Sequence, residues 1–150
     1  MARTYVKLYT KMWAAEEDFA EMPTDAQWFY WVMLSHPSLS PAGCLPFKPR
    51  LWARRSPDMT LRRVTVALQR LVKDAKVLID EDTGELLIRT FIRYDQGHRT
   101  PNIRKSIEAA IAQIDSDVLR DAATDELGRA VTLSATHPPT LTPTLPATLS

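Results

Sequence analysis

Apolar residues recur at spacings of three and four through Leu61, Val64, Leu68 and Leu71, while Arg62, Arg63, Gln69, Arg70 and Lys73 take the complementary faces. That period predicts an amphipathic helix with one side packed and the other open to a partner. Thr60 is its natural N-cap, and the amides behind such a cap point outward, where they can meet a phosphate. Just upstream, Pro49 suits the first turn of a short helix through Leu51, Trp52 and Ala53. Pro57 ends that helix, because the residue before a proline is pushed out of helical geometry. Residues 51–75 therefore predict a short helix, a turn and a longer helix with its arginines outside.

The same reading extends along the chain. Tyr5, Lys7 and Tyr9 alternate with Val6 and Leu8, predicting a short strand over 4–9 at the edge of a small sheet. Phe19 and Met22 are spaced to fill a core from one helical turn. Thr24 as cap and Gln27 in the capping-box position open a core helix carrying Trp28, Trp31, Val32 and Ser35. The run Trp28, Phe29, Tyr30, Trp31 is expected to pack rather than to stack on bases, since consecutive helical residues point in different directions. A loop over 36–43 leads to at most one brief strand at Cys44, Leu45 and Phe47, since Pro46 cannot donate to a ladder.

Beyond the amphipathic helix the pattern becomes Val77, Leu78, Ile79, then acidic residues, then Leu86, Leu87, Ile88. Asp82, Thr83 and Gly84 supply turn chemistry, so a β-hairpin is expected. Thr100 and Pro101 signal one more helix, with a stripe at Ile103, Ile107, Ala110, Ile111, Ile114 and Val118 that either closes the domain or meets a second copy through 102–119. From about Thr132 the chain is uncharged and rich in Thr, Leu and Pro, a composition expected to be disordered or partly polyproline. The predicted class is α+β, mainly helical: a winged helix-turn-helix with a β-hairpin wing and an added C-terminal helix over 1–120, and a mostly disordered tail over 121–150.

Charge sharpens this picture. The chain is nearly neutral at +1, yet from Lys48 to Lys76 nine basic residues stand against two acidic ones, and the next twelve residues hold four acids and no base. A concentrated positive field suits phosphate, whose condensed counterions Lys and Arg release. Arg54, Arg55, Thr60, Arg62, Arg63, Gln69, Arg70 and Lys73 are the expected DNA contacts, with Arg62 and Arg63 aimed at base edges. Arg99, Arg104 and Lys105 would extend the phosphate track, although a solvated surface accounts for them equally well. The hairpin tip, with Asp80, Glu81, Asp82 and Glu85, would be repelled by phosphate and is expected to hang clear of a duplex or meet a protein.

Catalysis finds no footing in the sequence. His36, His98 and His137 are far apart, no metal spacing or Gly-rich phosphate loop occurs, and His98 reads as a loop residue. No enzyme, cofactor or metal is expected. A lone Cys44 in an apolar stretch reads as core and fits a reducing compartment. No signal peptide or membrane span is expected either.

Three stretches, RTYVKLYTKMW, DFAEMPTDAQWFYWVMLSHPSLSPAGCLPF and VLIDEDTGELLIRTFIRYD followed by PNIRKSI, resemble winged-helix proteins of actinobacteria and their phages. These are related to the N-terminal domain of phage replisome organisers and DnaD-like initiators. The resemblance covers roughly Ala2 to Arg120. It implies a winged-helix fold, double-stranded DNA and replication proteins as partners, and a role in phage replication initiation or transcriptional regulation in the bacterial cytoplasm, at the nucleoid. It also places 60–73 in the recognition-helix position. The turn SPDMT departs from the common pattern by lacking a glycine. The competing expectation is a non-enzymatic protein adaptor that uses the same fold and its acidic hairpin tip.

Overall fold

A computed structural model describes residues 4–14 and 18–136. In chain order it contains α1 (Thr24–Leu34), β1 (Cys44–Pro46), α2 (Pro49–Ala53), α3 (Leu61–Lys73), β2 (Val77–Asp80), β3 (Glu85–Ile88), α4 (Phe91–Asp95), α5 (Pro101–Ala112) and α6 (Asp117–Thr136). Short 3-10 turns lie at Thr10–Trp13, Phe19–Glu21 and Gly97–Arg99. The three strands form one antiparallel sheet in the order β1-β3-β2, so the fold is α+β and mainly helical.

The sheet divides two cores. Side chains alternate across a strand, so Leu86 and Ile88 of the central strand join one cluster with Trp52, Phe29, Met33 and Leu71. Leu87, between them, joins the other with Ile107, Ile111, Leu119 and Ala123. The first core is roofed by α1, α2 and α3, the second by α5 and α6. Gly84 takes φ +70° at the hairpin turn, as its position between the strands requires.

Several expectations give way. Residues 4–9 form no strand: Tyr5 and Leu8 are 74% and 60% exposed, and the segment is tied down by single bonds, Tyr9 N–H to Tyr94 Oη at 2.9 Å and Lys7 Nζ to the Asp95 carbonyl at 2.9 Å. A period of two makes a strand only where a neighbour offers a ladder. At α1 the cap is Pro23, not Thr24, and Gln27 donates its side-chain amide to the Phe19 carbonyl at 2.9 Å instead of closing a capping box. The buried face of α1 is Ala26, Phe29, Tyr30, Met33 and Leu34, with Trp31 turned outward. The helix is apolar on nearly every side, so its period did not single out one face. Leu61, at the start of α3, is 37% exposed, and Ala67 fills the core place beside Val64, Leu68 and Leu71.

The helix expected over 102–119 is two helices. α5 stops at Ala112 and α6 starts at Asp117, while Ile107, Ile111 and Ile114 all pack inward. Of its apolar stripe, Ile107, Ile111 and Ile114 are covered within the chain, whereas Ile103 and Val118 are 41% and 69% exposed. Residues 121–136, expected to belong to a mostly disordered tail, are helical instead. α6 is helical to Thr136 and buries Ala123, Leu127 and Ala130 in the second core. The Thr/Pro/Leu-rich segment from 137, with His137, lies outside the described residues. No helix among the described residues is long and apolar enough to cross a membrane.

Candidate nucleic-acid interface

α3 begins as its sequence dictates: Thr60 is extended and its Oγ1 accepts the Arg63 N–H at 3.2 Å. Val64, Ala67, Leu68 and Leu71 are buried, so the opposite pole of the helix carries Arg62, Val66, Gln69 and Lys73 at spacings of four, three and four. All four are exposed, Val66 by 57%. Neither Arg62 nor Lys73 makes an ion pair among the described residues. One cationic, amide-bearing and methyl-bearing stripe thus faces solvent along three turns.

The flanking arginines are held differently. Arg63 donates to both carboxylate oxygens of Asp25, from Nε at 2.9 Å and Nη2 at 2.6 Å, and from Nη1 to the Asp58 carbonyl at 2.8 Å. This fork ties α3 to the first turn of α1 and to the 56–60 turn. Hydrogen bonding from Arg63 holds the Asp25 carboxyl below its ordinary range, and Asp25 raises the guanidinium in return. Arg70 donates Nε to Asp74 at 2.8 Å, one turn further along. Arg54 and Arg55 are exposed just after α2, whose Trp52 is fully buried against α1 and the strands.

Arg99, Arg104 and Lys105 are not brought to this face. α5 covers the second core, on the far side of the sheet from α3. There Arg104 faces Glu108 at 3.6 Å, Lys105 is exposed, and Arg99 lines a cavity between the N-terminal turns and α6.

The hairpin acids also prove to have an internal use. Glu85 accepts the backbone N–H groups of Asp115 and Ser116 at 3.0 and 2.7 Å, satisfying donors just ahead of α6. Ser116 Oγ donates to Asp80 at 2.6 Å and accepts the Leu119 N–H at 3.1 Å, so it caps α6 while gripping the hairpin. Asp80 also accepts the Asp82 N–H at 3.0 Å inside its own turn. Chiefly through the Ser116 bond, its carboxyl is held below the ordinary carboxylate range. Of the four hairpin acids, only Glu81 and Asp82 are left exposed at the tip.

His36 lies in the loop after α1 and His98 in the Gly97–Arg99 turn, and among the described residues no group of three His, Cys, Asp or Glu is placed to hold a metal. The Cys44 thiol is buried beside Glu85 and pushed up to about 12, first by burial, which keeps it from acting as a thiolate at neutral pH.

The sequence pattern placed Arg62, Gln69 and Lys73 on the open face. It missed Val66, although four residues beyond Arg62 on a helix is the same face. It could not foresee that Asp25, 38 residues away, occupies Arg63. Set beside known proteins, the chain matches no family model, no curated protein and no solved structure.

Proposed function

We propose that the protein is a winged helix-turn-helix reader of duplex DNA, with α3 in the major groove. The observation that carries this reading is the stripe Arg62, Val66, Gln69, Lys73: cations with no carboxylate partner among the described residues, alternating with groups suited to base edges. Arginine forms paired bonds to guanine, glutamine to adenine, and an exposed methyl group contacts thymine. Phosphate contacts come from Lys73 and from Arg54 and Arg55 at the end of α2, as in other helix-turn-helix proteins, where the first helix crosses the backbone. The order α1, β1, α2, α3, β2, β3 supports the winged plan. The resemblance of the sequence to phage replisome organisers and DnaD-like initiators gives the proposed setting: a phage or prophage protein at the bacterial nucleoid, in replication initiation or transcriptional control.

The adaptor reading loses ground at the hairpin, since Asp80 and Glu85 are bound to the start of α6 and only two tip carboxylates face outward. Selection of bound fragments from random duplex DNA at two salt concentrations tests the proposal. The expected result is an enriched motif of a few base pairs, with affinity that falls as salt rises. No duplex binding even at low salt would discard it.

A further inference from the structure

The first turn of α3 is the end that a recognition helix presents to base edges, and no side chain in it is buried. Leu61 is 37% exposed, Arg62 and Arg63 are exposed, and the apolar face begins only at Val64. Core packing therefore holds the helix from Val64 onward, while polar bonds hold the turn before it. Arg63 gathers those bonds. Its backbone N–H meets the Thr60 cap at 3.2 Å. Its guanidinium donates from Nε and Nη2 to Asp25 at 2.9 and 2.6 Å, and from Nη1 to the Asp58 carbonyl at 2.8 Å, so all three of its nitrogens are engaged. Asp25 is a firm anchor, because Ala26 beside it is buried, as are Phe29 and Met33 further along α1. The 56–60 turn lacks the glycine common in helix-turn-helix turns, and the fork braces it through Asp58 instead.

Neighbouring residues on a helix point about 100° apart around its axis, so fixing Arg63 also fixes where Arg62 points. A helix rotation of about 20° carries an atom about 6 Å from the axis through roughly 2 Å. An N–H···O bond tolerates only about 0.5 Å. Paired bonds from Arg62 to a base edge do not survive such a rotation. A single exposed ion pair contributes little, and bidentate geometry is the case in which one counts. A lysine at position 63 would keep the charge and lose the planar fork that fits a carboxylate side-on.

We propose that Arg63 and Asp25 form a positioning pair for DNA reading: they hold the first turn of α3 at the angle where Arg62 reaches its base, and Arg63 itself makes no DNA contact. This rests on the reading of α3 as the helix that enters the groove, and it takes Arg63 out of the base contacts expected from the sequence. Asp25 separates positioning from a plain charge effect. A carboxylate beside a DNA-facing helix repels phosphate, so charge alone predicts that Asp25→Ala binds every duplex as tightly as before or more tightly. Positioning predicts that it binds the preferred sequence worse.

The test uses the full chain, a duplex selected from random fragments and a scrambled duplex of the same length, with urea denaturation to check the fold of each variant. Asp25→Ala and Arg63→Ala should each lower affinity for the selected duplex by about tenfold, and Asp25→Ala should bind the scrambled duplex as well as before or better. Arg63→Ala should keep the wild-type salt slope, because an arginine that touches a phosphate contributes about 0.9 to it. The double variant should lose no more than either single one, as residues acting through one contact do, and Arg63→Lys should not restore the loss. Selection repeated with Asp25→Ala should blur the same base pair that Arg62→Ala blurs. The proposal is overturned if Asp25→Ala binds the selected duplex as tightly as the wild type, if Arg63→Ala lowers the salt slope, or if the two losses add. Those results, with a wild type that still selects a motif, discard the positioning pair alone. A wild-type chain that binds no duplex discards the DNA reading and this proposal with it.

Discussion

The outer face of α3 and the β2–β3 hairpin are neighbours in the chain, carry opposite charge and use it in opposite ways. On α3, Arg62 and Lys73 lie on the exposed face and make no ion pair among the described residues. On the hairpin, Asp80 and Glu85 point back into it and hold Ser116 and the amides that start α6. The difference shows that the sign and density of charge do not by themselves say what a segment meets. Arg62 and Arg63 are adjacent and chemically identical, yet among the described residues one makes no ion pair and the other is locked to Asp25. The informative quantity is charge left over after the fold has taken its share.

The contrast can be broken most forcefully on the α3 side. Replacing Arg62 and Lys73 together by alanine should lower duplex affinity by about a hundredfold and reduce the log-log salt slope by about 0.9 for each phosphate no longer neutralised. Fluorescence anisotropy against a selected duplex at several salt concentrations reads both. If affinity and slope stay put, the stripe is only a solvated face.

On the hairpin side the expected loss is in stability. Glu85→Ala leaves two amides ahead of α6 without an acceptor, and urea denaturation should show about 1–2 kcal/mol less stability. Duplex affinity should stay within about threefold, because the substitution takes no cation away from the phosphates. A large fall in affinity with unchanged stability would instead place the hairpin on DNA and dissolve the contrast.

The smallest effect concerns acid. The folded Asp80 carboxyl lies below its ordinary value, chiefly through the Ser116 hydroxyl. Its stabilising effect is thus complete above the unfolded value of about 3.9 and is lost as pH falls through the folded one. Asp80→Asn should make the decline of stability below about pH 4 shallower while leaving its shape near neutrality unchanged. An identical acid limb in both proteins would show that the Ser116 bond contributes nothing in solution.

How far the sequence spoke for itself follows the same division between local and distant causes. Thr60, Leu68, Leu71 and Gly84 act within a few residues of themselves, and α3 and the hairpin came out where their pattern put them. α1 existed as expected but rotated, because a helix with Trp28, Phe29, Tyr30 and Trp31 in a row has no polar side to orient it. The stripe from Ile107 to Ile114 ran on through the break after Ala112, since all of these residues face the same core. Ser116, whose hydroxyl accepts the Leu119 N–H at the start of α6, lies inside that apparent period. Arg63 with Asp25, Glu126 with Arg89 and Arg93, and the wall of the cavity join residues dozens of positions apart, and no local period reports such pairs.

The bridges that seat α6 also set an order of events. Glu85 precedes Ser116 by 31 residues, and Arg89 precedes Glu126 by 37. On the ribosome, where N-terminal parts emerge first, the hairpin and α4 are complete before the helix they receive has been made. Closing such intervals carries an entropic cost that local hairpin and helix contacts do not. Docking of α6 is therefore a late step of folding. Until it happens, the part of that side of the sheet that α6 covers stays open, and a chain lacking residues 117–136 presents it to whatever chaperone or neighbour is at hand.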